Sequence, residues 1–316
     1  MHCSGKISVF VLVLQNHKLF VFQIKPDFEA NEPFVPDDIN YKEYSAFLTS
    51  KPPSTEKNGV QLVIDAIKTH NMKIHLTDLS SSDSLVVAQK YRDTKTQKMS
   101  SLTVETSHHY LALSSEEIGN GKTEFKTSPP IRNYANQNIM WEAMKNYEIF
   151  NVSSSHQPVT IKSKCLIGGK NRGNFIEAGN GIASLQFGLS IFWTMCQKHS
   201  LSLIDVNRFL SLHPAKLTGL DQNKGKIQVG YDADFVIWDP DEEWMLTKED
   251  ALFKNKICPY FGKNMKGRVY ATVVRGYFVF DVNHPNFDEP VGNVLLKKPT
   301  RRGDRIVNFQ LDGESE

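Results

Sequence analysis

The chain has 316 residues, of which 40% are apolar and 23% charged, and its formal net charge is +2. These values are ordinary for a soluble globular protein, and the mild charge argues against the basic face that nucleic-acid binding requires. The four cysteines include no Cys-x-x-Cys pair: Cys3, Cys165, Cys196 and Cys258. This pattern argues against a disulfide framework or a zinc ribbon, and it predicts reduced thiols in the cytoplasm.

An apolar run close to the N-terminus needs its own interpretation. Residues 7–14 read Ile-Ser-Val-Phe-Val-Leu-Val-Leu and follow Lys6, as in the apolar core of a signal peptide. No small-x-small cleavage site follows, and the run is too short to cross a bilayer. A buried β-rich segment, or an aberrant start that replaces the true N-terminus, is therefore favoured over a signal peptide.

Strand and helix patterns alternate through the first half of the chain. Residues 19–23 form a short apolar run typical of a buried strand, and residues 26–56 form a polar loop rich in proline. Apolar residues at positions 60, 63, 64 and 67 have helical spacing. Further predicted elements are helices at 82–91 and 136–144 and strands at 73–79, 102–105, 125–127 and 148–153. This alternation predicts a parallel α/β sheet or barrel.

The pattern changes in the last third of the chain. Helices are predicted at 184–199, 203–212 and 213–220, and strands of period two at 226–229, 234–239 and 268–280. The sequence therefore predicts an α/β part over residues 1–211 and a mostly β part over residues 212–282. A polar tail over residues 283–316 completes the predicted organisation.

Several separate segments carry a resemblance to a known family. Residues 103–111, 125–132 and 152–158, the last reading Val-Ser-Ser-Ser-His-Gln-Pro, resemble the back half of an allantoinase. Residues 184–189, 224–239 and 255–262 extend this resemblance to the allantoinases among the metal-dependent cyclic amidohydrolases. It implies an incomplete TIM-type (β/α) barrel, with its first strands missing, and a small C-terminal β-sandwich portion. The implied family reaction is hydrolysis of allantoin to allantoate in purine catabolism.

The resemblance also implies a bridged pair of divalent metal ions, zinc or similar, which lowers the pKa of bound water from about 15.7 towards about 7. A His-x-His pair and a carboxylated lysine of the family have no counterpart in this chain. Two further family histidines align with Gln23 and Asp78, and the aspartate of the family motif Ser-Asp-His-Ser-Pro aligns with Ser155. A serine hydroxyl is a poor ligand and cannot act as a carboxylate base. We therefore predict that no catalytic residue or metal ligand is intact and that no metal is bound.

Three other positions match parts of the family's substrate pocket. Ser128 matches a residue whose backbone contacts the substrate ring, His156 follows the replaced aspartate, and Gly181 matches a glycine of the active-site loop. These residues are the predicted remains of an allantoin pocket. His108 and His109 were considered as a metal pair, but adjacent residues on a strand point to opposite faces.

The favoured hypothesis is an N-terminally truncated, catalytically inactive allantoinase homologue. Two alternatives stay open: an active allantoinase whose sequence is incomplete, and a non-catalytic scaffold or subunit built on the same fold. If the first barrel strands are missing, the strand at 19–23 and the last barrel strand, ending near Ser155, have no barrel neighbours. Exposed strand edges pair with other chains, so a homo-oligomer or poor solubility is expected.

Overall fold

One open sheet forms the α/β part of the computed structural model, which describes residues 7–14, 19–26, 39–68, 73–93, 102–285, 287 and 289–295. Its five strands lie in the order β1-β2-β3-β4-β5: Ile7–Leu14, Leu19–Pro26, Lys73–Thr77, Leu102–Ser107 and Asn151–Ser153. Strands β2 to β5 run parallel, and β1 runs antiparallel to β2. The predicted α/β class is confirmed, and the described strands form an arc of a barrel that does not close.

The strand interpretation of residues 7–14 is confirmed. Strand β1 pairs with β2 along its whole length, from Leu14 opposite Leu19 to Ile7 opposite Pro26. The expectation that β2 exposes its outer edge is therefore wrong. A run rich in β-branched and aromatic residues readily pairs with the next strand when a short connection joins the two.

Helices cover one face of this sheet, and the core lies between them and the strands. The helices of the first half are α1 to α5: Tyr44–Ser50, Pro53–Lys68, Ser82–Asp93, His108–Ala112 and Tyr134–Lys145. Those that follow are α6 to α8: Gly188–Lys198, Leu203–Asn207 and His213–Thr218. Alternate strand residues such as Ile74, Leu76 and Val104 are buried in one cluster with Trp141 and Phe192. This period-two burial is why the apolar strand runs predict the sheet correctly.

Four predicted local structures are wrong. Helix α1 lies inside the predicted loop, because Tyr44 and Phe47 are buried by residues distant in sequence. Residues 125–127 are not a strand, and Thr123–Phe125 forms a 3-10 turn. Residues 226–229 form no strand either, and their apolar side chains Ile227 and Val229 are exposed. A β-favouring sequence needs a partner strand to supply its hydrogen bonds, and none lies beside this segment in the described part of the chain. The fourth is the placement of His108 and His109 on a strand, because both residues lie in helix α4.

The C-terminal part contains a three-stranded antiparallel sheet. Its strands are β6 (Phe235–Met245), β7 (Asn264–Val274) and β8 (Tyr277–Asp281), in the order β6-β7-β8. Helix α6 packs against β7. The Trp193 indole of α6 donates to the Pro240 carbonyl at 2.7 Å and meets the Trp238 ring edge to face at 5.8 Å. The predicted boundaries at residues 211 and 282 stay predictions. Among the described helices, none has the length and apolar character needed to cross a membrane.

Candidate functional site

The three predicted ligand positions lie at one edge of the sheet. On β2, Gln23 pairs with Thr77, the last residue of β3, and Asp78 follows immediately. Ser155 comes two residues after the end of β5. Because β2, β3 and β5 are parallel, their carboxyl ends share one edge, which is where barrel enzymes place their active sites. The strand order therefore brings the three predicted positions to the same end of the sheet.

The backbone turns sharply at two of these positions. Asp78 has φ 55° and Ser155 has φ 41°, both in the left-handed region that disfavours residues with a Cβ atom. Asp78 is buried, whereas Ser155 is half-buried. The chain thus leaves both strands abruptly at two of the predicted ligand positions. Residues held in this region are concentrated at functional sites.

The segments around Ser128 and Gly181, which are predicted to belong to the substrate pocket, lie side by side. The carbonyl of Lys126, two residues before Ser128, accepts a hydrogen bond from the Gly181 amide at 3.0 Å. Gly181 has φ 125°, and a Cβ atom there would lie 2.5 Å from the Gln157 carbonyl oxygen. Only glycine can occupy this position without moving the chain. The Ser128 hydroxyl accepts from the Lys51 ammonium at 3.3 Å.

His156 is fixed in one tautomer. Its Nδ1 accepts hydrogen bonds from the backbone amides of Ser184 and Leu185, both at 3.1 Å. The proton of the neutral ring therefore resides on Nε2, which is a hydrogen-bond donor. Burial lowers the pKa of His156, so the ring is neutral at pH 7. The residue supplies a neutral donor rather than a positive charge.

Two buried lysines behind the pocket segments were missed by the sequence analysis. Lys126 donates through Nζ to the Ile176 carbonyl at 2.8 Å and also to the Ala178 carbonyl. Lys164 donates to the Lys126 carbonyl at 2.6 Å. Burial lowers the pKa of Lys126 to about 8 and that of Lys164 to about 7. The charge of Lys51 lowers the pKa of Lys126 further, and the charge of Lys126 lowers that of Lys164. Lysines in polar loops look like surface residues, and no sequence signal distinguishes these two.

The histidine pair does not lie on a strand, so that part of the prediction is wrong. His108 and His109 open helix α4 and are both buried. His109 contacts the Tyr260 hydroxyl through Nδ1 at 2.9 Å and the Ser184 hydroxyl through Nε2 at 3.5 Å. Burial lowers the pKa of His108 to about 4. Both rings are therefore neutral components of the core under the loop that follows Gly181.

Comparison with known proteins identifies the class to which this fold and site belong. The model of the amidohydrolase family matches residues 54–279, and the chain belongs to that family. Its similar relatives are allantoinases. It is 34% identical over 275 residues to "Probable allantoinase 2" of Dictyostelium discoideum, covering 86% of this chain and 53% of that protein. It is 37% identical over 251 residues to an allantoinase of Arabidopsis thaliana, covering 76% of this chain and 47% of that protein.

Solved structures support the fold. A D-hydantoinase (dihydropyrimidinase) from Thermus sp. superposes with a TM-score of 0.72 at 23% identity, covering 80% of this chain and 54% of that chain. An L-hydantoinase (dihydropyrimidinase) from Arthrobacter aurescens gives a TM-score of 0.67 at 24% identity, covering 81% and 53%. At these identities the likeness concerns the fold alone. The chain spans about half the length of the relatives and structures it matches.

The residues at the strand edge do not fit the divalent metal that this family generally uses. Zinc and similar ions need three or four nitrogen, sulfur or carboxylate ligands around one point. Within the described residues, no group of three or more histidine, cysteine, aspartate or glutamate side chains could hold a metal ion. At the family's positions stand an amide residue, Gln23, a hydroxyl residue, Ser155, and one carboxylate, Asp78. A single carboxylate among weak neutral donors does not hold a metal pair.

Proposed function

We propose that this chain is an allantoinase-family protein that retains part of the family's substrate pocket but does not hydrolyse allantoin by itself. The observation that carries the proposal is the chemistry at the ends of three parallel strands. The positions in question hold Gln23, Asp78 and Ser155, and they lie at one edge of the sheet. The resemblance to the family and the strand order both support the proposal at these three positions.

The reaction explains why these replacements matter. Hydrolysis of a ring amide needs an activated water, and a metal supplies it by lowering the pKa of bound water from about 15.7 to about 7. A positioned carboxylate then takes up and passes on the proton. Asp78 is the one carboxylate at the three predicted ligand positions. Neither the hydroxyl of Ser155 nor the amide of Gln23 can act as a proton-accepting carboxylate at neutral pH.

The pocket wall is the part that supports retained binding. The backbone of Ser128 and of Gly181 does not depend on side-chain chemistry, and the two segments remain hydrogen-bonded through the Lys126 carbonyl. A cyclic amide or imide ring can use such backbone donors and acceptors without any metal. We therefore propose that allantoin is the small molecule this pocket accommodates and that it is not turned over.

A cytoplasmic location is part of the same proposal. Cys165, Cys196 and Cys258 are free thiols, and the last two are buried. Unpaired cysteines favour a reducing compartment.

A direct assay tests the proposal. The purified chain is incubated with allantoin, with and without added zinc or manganese, and release of allantoate is measured beside an active plant allantoinase. We expect no release above background in either condition. Turnover that disappears with a chelator and is restored by metal would favour the active alternative.

A second experiment tests the alternative that the chain is a non-catalytic scaffold or subunit. Mixing the chain with that plant allantoinase and analysing the mixture by size-exclusion chromatography reveals whether a stable complex forms. Co-elution, together with a changed allantoinase rate, would support a non-catalytic subunit. Independent elution would leave the inactive homologue as the proposal.

A further inference from the structure

A cavity of about 790 Å³ lies between the start of helix α6 and the β6–β8 sheet. Its volume falls within the range of sites that take small molecules, about 300–1,000 Å³. His156 is the single predicted site residue that lines it. Besides His156, five aromatic side chains contribute to the wall: Phe187, Trp244, Phe253, Phe280 and Phe287. The chemistry discussed above does not involve this space.

The wall of this cavity is held in place by hydrogen bonds. Gln186 donates to the Asp250 carbonyl at 2.7 Å and accepts from the Leu252 amide at 2.9 Å. Both ends of one side-chain amide thus tie the loop before Phe253 to the turn before α6. His156 ties down the same turn through its Nδ1. A binding site that is formed before the ligand arrives loses less entropy on binding.

The aromatic rings are arranged as walls rather than as one stack. Phe253 meets Phe187 edge to face at 6.0 Å and His156 edge to face at 6.4 Å. Trp244 lies 6.5 Å from Phe187 with tilted planes. Ring faces carry negative electrostatic potential, so aromatic walls of this kind attract organic cations as well as apolar groups.

The charged side chains that line the cavity also favour a cationic ligand. Glu249 and Asp250 line the cavity, and neither forms an ion pair among the described residues. The Asp250 carboxylate accepts hydrogen bonds from the Thr247 amide at 2.8 Å and the Thr247 hydroxyl at 2.7 Å. Arg268 also lines the cavity, but its guanidinium is paired with Glu242 at 3.0 Å and stacks on Trp244. His156 is neutral. The mouth is therefore negative, while the interior is aromatic.

We propose that this cavity is a binding site for a hydrophobic organic cation, such as an aromatic or alkyl ammonium compound. The aromatic walls take the apolar body, Glu249 faces the positive charge at the mouth, and the Nε2 proton of His156 is available to an acceptor atom of the ligand. The site shares His156 with the predicted allantoin pocket, but the proposal does not depend on allantoin hydrolysis, because Gln23, Asp78 and Ser155 take no part in it.

Two fluorescent probes of opposite charge test the proposal on the full chain. Thioflavin T is a cationic aromatic dye, and 8-anilinonaphthalene-1-sulfonate is an anionic one. We expect saturable binding of thioflavin T at one site per chain, about fivefold or more tighter than binding of the anionic dye. Equal affinity for both dyes would overturn the charge preference. Many sites per chain would mean that the lining is ordinary apolar surface.

Three variants locate the binding site. Glu249→Gln should weaken thioflavin T binding roughly fivefold and leave the anionic dye unaffected. Leu185→Arg, at a side chain that is 64% exposed on the rim, adds a repelling charge and should abolish cation binding without disturbing the core. Glu142→Gln, on the exposed face of α5, is the matched control and should change nothing.

A filled cavity gives an independent check. Val269→Trp should prevent binding of thioflavin T by occupying the space, provided that thermal melting shows a folded protein. If this variant does not fold, the Leu185→Arg result decides. Unchanged thioflavin T binding in Leu185→Arg, or an equal loss in Glu142→Gln, would place the dye elsewhere and refute the assignment.

Discussion

The ammonium of Lys164 donates a hydrogen bond to the carbonyl of Lys126 at 2.6 Å, and the same carbonyl accepts the Gly181 amide at 3.0 Å. A buried lysine thus holds the main chain where two pocket segments meet. In the described structure no carboxylate lies within ion-pair distance of either lysine, so main-chain carbonyls replace water as their partners. Carbonyl dipoles stabilise a buried ammonium less than water does, which is why both pKa values fall.

This arrangement predicts that stability rises with pH above neutrality. The folded pKa of Lys164, about 7, lies below its ordinary value of 10.5, so the folded state releases its proton first. Between those two values the unfolded state binds more protons, and the free energy of unfolding increases with pH. The Lys164 contribution should amount to about 1–2 kcal/mol between pH 7 and pH 9.

Urea unfolding at several pH values checks this prediction. Lys164→Met should be more stable than the parent chain near pH 6. It should also lose most of the increase in the free energy of unfolding between pH 7 and pH 9. Lys162→Met, at an exposed neighbour, is the control and should keep the parent's slope. Parallel curves for the parent chain and Lys164→Met would mean that Lys164 is not the titrating group. Burial raises the pKa of Cys258 to about 12, so titration of this thiol lowers the free energy of unfolding as the pH rises. The parent chain and Lys164→Met share this contribution, so it cancels in the difference between their curves.

Gly188 and His108 predict a packing effect. A Cβ atom at Gly188 would lie 2.9 Å from the Cε1 atom of His108, which is itself buried. Because this contact is shorter than Cβ atoms make and both residues are buried, Gly188→Ala should destabilise the chain by about 1–3 kcal/mol. At Gly119 the nearest atom to an added Cβ is a lysine side-chain carbon at 3.6 Å, so Gly119→Ala should be close to neutral. Equal midpoints of the two variants in urea would contradict this account.

Local patterns in the sequence were sufficient to predict most of the sheet and its helices. Val60, Val63 and Ile64 have helical spacing, and all three are buried in α2. The turn between β7 and β8 falls at Gly276, which has φ 85° and needs no strain to reverse the chain. In both cases the structure depends on residues close together in sequence.

The features that the sequence did not predict depend on distant partners. Helix α1 is stabilised where Tyr44 meets Phe175, with ring centroids 5.2 Å apart, and no local pattern near Tyr44 indicates this contact. The ammonium of Lys126 can be buried because a carbonyl 50 residues away in sequence accepts a hydrogen bond from it. The assignment of Gln23, Asp78 and Ser155 as ligand positions stays a prediction from the family resemblance, and the strand order agrees with it by bringing them to the same end of the sheet.

Metal content is expected to be low. After dialysis, elemental analysis should find far less than one zinc, manganese or cobalt per chain. The reason is that one carboxylate, at Asp78, stands among weak neutral donors at the family's positions. Added zinc should also leave the melting temperature unchanged, since only a ligand that binds the folded state raises it. A value near two metals per chain would mean that the ligands lie elsewhere.

Restoring the aspartate alone is expected to fail. Ser155 has φ 41°, and aspartate is among the residues that tolerate this region, so Ser155→Asp should fold like the parent chain. Its allantoinase activity should nevertheless stay at background, because ligands that act as one unit return almost nothing when a single member is repaired. Adding Gln23→His and Asp78→His should also fail, since no His-x-His pair or bridging lysine is supplied. Thermal melting tests whether Ser155→Asp folds like the parent chain, and allantoate release tests whether its activity stays at background. Turnover by Ser155→Asp with added zinc would mean that the other ligands are already present in the chain and that the family's site needs one carboxylate to work.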